Sequence, residues 1–145
     1  MRLSFAKFEG WLWFFPLAYL LHIVEEVRGV GVVPGINVSL NVFLVLSTAA
    51  LLLMTGGIFL AQRFGFPHFM SVCLGATVFL NGLSHVIRSL VYGAYDAGVI
   101  SGSVIFVPLG LATLISLRNS MRLQRYIVGL LAGVIIQGIA LVFAA

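Results

Sequence analysis

Charge is what this sequence has least of. It holds eight Lys or Arg and four Asp or Glu in 145 residues, 8% in all, where a soluble globular domain carries about 25%. That scarcity excludes an ordinary water-soluble domain. The basic residues are scattered and mostly flank apolar runs, so the formal net charge of +4 does not describe a nucleic-acid groove. Cysteine is nearly absent too: Cys73 stands alone, which excludes an intramolecular disulfide and leaves a small packing residue. A leader-peptide cleavage pattern is also missing. The first apolar run follows basic residues but ends in His-Ile-Val-Glu-Glu-Val-Arg, and therefore reads as a retained helix. Neither an internal repeat nor a low-complexity segment is apparent.

What the chain has in abundance is apolar surface, 61% of its residues, with a mean hydropathy of +1.17. Five runs are expected to cross a membrane, at about residues 10–27, 38–61, 69–92, 99–117 and 126–143. Each is near the ~20 residues that span the hydrocarbon, where only helices satisfy the backbone over such lengths. Pro16 falls inside the first run; Pro34 and Pro67 fall in the connections, which are short. The expectation is one all-α domain over residues 1–145, a polytopic transmembrane helix bundle of about five spans.

Basic residues set the orientation. With the N-terminus in the cytoplasm, Arg2, Lys7, Arg63, Arg118, Arg122 and Arg125 lie inside, and Arg28 and Arg88 outside. Six against two favours that topology and puts the C-terminus outside.

Three ionisable side chains, His22, Glu25 and Glu26, stand near the end of the first run. On a helix the two carboxylates fall three and four residues past the imidazole, on one narrow face. Such groups cost about 2.5–3.5 kcal/mol each to insert and usually face a cavity, a partner or a metal. In the third run Thr77, Asn81, Ser84, His85, Arg88 and Tyr92 recur at helical spacing as one polar stripe, which in a membrane helix faces the protein interior. Spans one, three and five run in one direction. His22, His85 and Gln137 therefore fall at similar depth in the outer half, and spans two and four bring Asn41, Ser101 and Ser103 to the same side. Below His22, Trp11, Phe15, Ala18 and Tyr19 continue its face. The pocket expected from these stripes is polar at its outer end and aromatic beneath, a shape suited to an amphiphile.

His22-x-x-Glu25-Glu26 followed by Asn81-x-x-x-His85 resembles the HXXEE-domain family of small bacterial membrane proteins. Tyr95-Asp96-Ala97-Gly98 and Pro108 look similar to the family's later Tyr-x-Pro-Gly stretch, with Ala97 in place of proline. The resemblance runs from about Leu12 to Gly110. It implies a bacterial cytoplasmic membrane protein built around this motif, and no particular reaction.

The functional expectation is a small membrane enzyme acting on a lipid or isoprenoid-like substrate. His22, Glu26 and His85 supply nitrogen and oxygen ligands suited to a divalent metal, zinc or iron. Glu25 and Glu26 are the candidate acid–base groups, and Arg88 the group for an anionic head or developing negative charge. Asn81, Tyr92, Asp96, Trp11 and Phe15 are candidate substrate contacts. Three alternatives use the same residues: a metal-free isomerase or cyclase working through the glutamate pair, a proton, ion or small-solute transporter, and a purely structural network pairing Glu25 with Arg28 and Glu26 with Arg88. Expected partners are membrane lipids and a lipophilic small molecule, with no nucleic acid; a homo-oligomer is compatible with so short a chain.

Overall fold

The computed structural model describes residues 10–29 and 39–144, and these are almost entirely helical. Five helices follow in order: α1 Phe14–Gly29, α2 Leu40–Phe64, α3 Pro67–Tyr92, α4 Val99–Leu117 and α5 Leu123–Ala144. The helices α2 to α5 are each long and apolar enough to cross a membrane. The regular part of α1 is shorter, at 16 residues, and follows a turn at Leu12 and Trp13. The expected spans thus correspond to the five helices, with four meeting the crossing length among the described residues. The connection expected to carry Pro34, and the basic residues Arg2 and Lys7, lie outside the described residues.

Local chemistry sets the boundaries. The hydroxyl of Ser39 accepts from Val42 N at 3.4 Å and caps α2, a role serine fills well at a helix start. Helix α2 closes at Gly65 and α3 at Gly93, both left-handed. Proline occupies the first position of α3, where its missing N–H costs nothing. Helix α4 is not regular throughout: Gly102–Phe106 forms a π turn. Pro108 lies just beyond it, and a proline cannot donate to the carbonyl four residues back and crowds it. The wider turn upstream absorbs that defect.

Helix α3 is the axis of the bundle. Half of its most apolar window is buried, against 11% in α2, and it packs along α4 on one side and α5 on another. The approach to α4 depends on absent side chains. A Cβ on Gly82 would lie 2.5 Å from the Gly102 carbonyl oxygen, and one on Gly110 would lie 2.6 Å from that of Gly75. Small residues facing each other let membrane helices gain dispersion contacts that lipid does not supply. Helix α1 packs on α2 and on the start of α4. Leu12, Phe15, Ala18, Ile58, Leu74, Val78 and Phe106 form the larger apolar core, and Val72 and Leu117 centre a smaller one.

This packing makes a directional test. Gly82→Ala should destabilise the bundle by about 1–3 kcal/mol, the usual range for overpacking. Gly56→Ala, where a Cβ meets nothing within 4 Å, should be neutral or stabilising. Denaturant unfolding in detergent micelles distinguishes the two, and equal behaviour would contradict the close α3–α4 seam.

Candidate metal centre

Alternating helix direction brings the C-terminal ends of α1 and α3 beside the start of α4. His22 and His85 are buried there, 1% and 2% exposed, with ring centroids 4.8 Å apart and nearly perpendicular planes. Glu26, one turn past His22, reaches between them. Its Oε1 lies 3.6 Å from His22 Nε2 and 3.3 Å from His85 Nε2. One ligand atom from each of the three residues falls within 4.8 Å of the others. Ligands about 2.1 Å from a tetrahedral zinc are roughly 3.4 Å apart, so the two glutamate–histidine separations already match a shared ion.

The outward nitrogens of both rings are held. His22 Nδ1 is 2.7 Å from Ser101 Oγ. That hydroxyl donates its one proton to Glu25 Oε2 at 2.5 Å, so it accepts from the imidazole and His22 carries its proton on Nδ1. His22 Nε2 is then a lone pair, and this buried atom has no hydrogen-bond partner. On the other ring, His85 Nδ1 lies 3.2 Å from Asp96 Oδ2 and 3.0 Å from Arg88 Nη2. Donating to Asp96 leaves Nε2 unprotonated and turned to Glu26; accepting from Arg88 puts a proton on Nε2 instead. In the first state, two imidazole lone pairs and a carboxylate converge on one point without a proton between them, and a cation satisfies all three. Hydrogen bonds from a ligating histidine's other nitrogen to a carboxylate or similar acceptor orient the ring toward metal.

Glu25 points away from this centre. Its Oε1 accepts from Tyr95 OH at 2.6 Å and from Ile100 N at 3.0 Å. Its Oε2 accepts from Ser101 N at 2.7 Å and from the Ser101 hydroxyl. The carboxylate therefore fastens the start of α4, with its otherwise unpaired N–H groups, to α1. Gly98 makes the approach possible. Its φ of +99° suits glycine, and a Cβ there would lie 2.7 Å from Cε1 of both His22 and His85.

The structure places the remaining candidates unevenly. Asp96 is buried and accepts from Arg88 Nε at 2.8 Å. Arg88 thus reaches the centre through Asp96 and His85. The expected ion pairs give way to other partners: Arg88 pairs with Asp96 rather than Glu26, and Glu25 with Tyr95, Ile100 and Ser101 rather than Arg28. The reason is the 93–98 turn, which brings Asp96 and Tyr95 closer than helix spacing alone indicates. Tyr92 is 57% exposed. Phe15 is sealed in the apolar core, and Trp11 donates to Thr113 Oγ1 at 2.9 Å; both lie below the histidines. Phe106 covers His22, with ring centroids 4.4 Å apart. Asn41 and Ser103 are exposed, and Ser103 bonds its own helix.

Asn81 Oδ1 and Gln137 Nε2 are buried and unpartnered. Thr77 Oγ1 donates to Gly133 O at 3.3 Å, and each amide lies four residues further along its parallel helix. Span direction places Ser101 at the right depth but gives it no role, and it says nothing of Gly98. For Gly98 the sequence signal is the Tyr95-Asp96-Ala97-Gly98 stretch.

The family model described as "Protein of unknown function with HXXEE motif" matches residues 13–113. The chain belongs to the HXXEE family. The matched region holds His22, Glu25, Glu26, His85, Asp96, Gly98 and Ser101, so the whole centre lies inside it. No curated protein and no solved structure matches the chain.

Tyr95 offers a test outside the membrane-spanning helices. Its hydrogen bond to the Glu25 carboxylate pushes its pKa up to about 12 from the ordinary 10. The raised value means that the stabilisation from this bond is complete below pH 10 and lost as pH rises through about 12. Ultraviolet phenolate titration of wild type against Tyr95→Phe should show the missing phenol only at the top of the alkaline range. A difference already complete near pH 10 would contradict the bond.

Proposed function

We propose that this chain is a small metal-dependent membrane enzyme of the bacterial cytoplasmic membrane, acting on a lipid or isoprenoid-like substrate. His22, Glu26 and His85 hold the ion. The observation that carries the reading is the buried, unpartnered Nε2 of His22, locked as a lone pair by Ser101 and aimed toward a carboxylate and a second imidazole. Structural zinc sites close with four protein ligands, whereas catalytic ones keep a position open; three ligands favour the second class. Zinc and iron both suit two imidazoles and a carboxylate. Such an ion supplies a polarised substrate oxygen or an activated water. Arg88 and Asp96 orient His85, while Ser101 and Glu25 orient His22. The depth of the site among apolar helices favours a lipophilic substrate entering from the bilayer. By the distribution of basic residues, the centre faces the outer half, with the N-terminus in the cytoplasm and the C-terminus outside.

A second reading has its own support. Glu26 lies within 3.3 Å and 3.6 Å of the two Nε2 atoms, a spacing that also suits a protonated histidine against a carboxylate. That arrangement moves protons without a metal.

Elemental analysis of detergent-purified protein separates the two. Near-stoichiometric zinc or iron is expected in wild type and absent from His22→Ala and His85→Ala. Ser101→Ala should keep the fold and weaken metal binding by about 10–100-fold, the usual cost of losing a group that orients a ligand. No metal in wild type after supplementation during expression would move the assignment to acid–base chemistry. For the substrate, lipid extracts of cells producing wild type or His85→Ala should differ in a discrete lipid species; identical extracts would count against the enzymatic reading.

A further inference from the structure

The charges of the described chain are divided between its two ends. Its carboxylates, Glu25, Glu26 and Asp96, all belong to the histidine end. At the other end, where α2 and α4 finish and α3 and α5 begin, stand Arg63, Arg118, Arg122 and Arg125. From Pro67 to His85 along α3 is about 27 Å at 1.5 Å per residue. That is far beyond the reach of an ion pair, so the acids cannot pair with these arginines. None of the four joins an ion pair among the described residues.

Between the two helix turns at that end lies an open hollow of ≈ 1220 Å³. Its wall is divided. The turn after α4 gives it a cationic side, with Arg122, Arg125, Asn119 and Ser120, and the turn after α2 a largely aromatic one, where Phe66 and Phe69 stand among Gln62 and His68. Arginine suits phosphate because its planar fork donates two parallel hydrogen bonds. Basic pockets between spans, at the membrane surface, are where anionic head groups are held.

We propose that this hollow binds an anionic phospholipid, with Arg122 and Arg125 on its phosphate and the phenylalanines against its glycerol and upper acyl region. The divided wall argues for a membrane lipid over a free anion: inorganic phosphate would use the arginines and leave the aromatic side bare. The site is independent of the metal centre, sharing no residue with it.

The test is native mass spectrometry of the full chain in detergent, titrated with phosphatidylglycerol or with phosphatidylcholine of the same acyl chains. Wild type should retain phosphatidylglycerol selectively. A basic residue near an anionic head is worth about fivefold in affinity, so Arg122→Gln with Arg125→Gln should reduce that selectivity by roughly 25-fold. Replacing both with Lys should restore a part of it, and Arg28→Gln, at the opposite end, should leave it unchanged. Thermal unfolding of the Gln double variant checks its fold; if it is unfolded, the Lys variant and the Arg28 control still carry the comparison. Equal retention of the two lipids by wild type, or undiminished selectivity in a folded Gln variant, would overturn the proposal. Complete displacement of phosphatidylglycerol by millimolar inorganic phosphate would also overturn it, assigning the hollow to the free anion.

Discussion

The hydroxyl of Ser101 is the hinge on which the histidine end turns. It donates to Glu25 and accepts from His22, and it can do both only in that sense because it has one proton. In water such a choice would be weakly held, since solvent could take either role. Among apolar helices there is little water to substitute, and an unpaired buried group costs several times what a hydrogen bond gains. The direction of one hydroxyl therefore fixes the protonation of one imidazole and the character of the atom that His22 offers to its neighbours. Glu25 makes the direction stable by also accepting from two backbone amides and Tyr95. The second glutamate of the motif has a different part, reaching between the rings. Two adjacent carboxylates that would repel at one site are instead turned to two.

That geometry rests on places where side chains are missing. Gly98 sits against both imidazoles, and Gly82 meets Gly102 just beneath. Each lets a backbone come where a methyl group would stand, so the start of α4 can lie directly on α1 and α3. The π turn follows at once, re-aiming the rest of α4 and setting Phe106 against His22. Pro108, which forbids a regular turn there, thus helps decide which residue covers the centre. The apolar core below contributes support alone, with Phe15 seated under the His22 face.

Much of this was legible in the sequence, for a physical reason. A hydrocarbon environment makes each ionisable residue conspicuous, and helical periodicity then says which of them share a face. The helices, their alternation, and the meeting of His22, Glu26 and His85 follow from those two rules. The turn between α3 and α4 does not. Tyr95, Asp96 and Gly98 are placed by a loop whose path depends on backbone conformations, and periodicity has nothing to say about a loop; Ser101, in the first turn of α4, takes its role from where that loop sets the helix down. Hence the purely structural alternative pairs Arg88 with Glu26, whereas the folded chain has it holding Asp96. Tyr92 illustrates the converse: it continues the stripe of α3 in spacing, but the helix emerges from its neighbours before that residue and leaves it exposed. Periodicity assigns a face; packing decides how far along the face burial continues.

The extent of the family match adds a division of labour. Residues 13–113 include every group of the centre, whereas α5 lies wholly beyond it. Yet α5 packs closely on α3, with Gly129 against Val72 and Gly133 against Cys73 and Ala76, and Gly133 O accepts the Thr77 hydroxyl. Helix α3 carries a broad polar stripe: His85 and Arg88 face the centre, and Thr77, about 80° round the helix from His85, faces α5. A membrane helix of that kind cannot leave the α5 side of its stripe facing lipid without a cost of a few kcal/mol. Helix α5 covers it with glycine and its own buried amide, Gln137. The centre is thus built by α1, α3 and α4, and the condition that lets α3 carry it into the bilayer is met by a helix that contributes nothing to its chemistry.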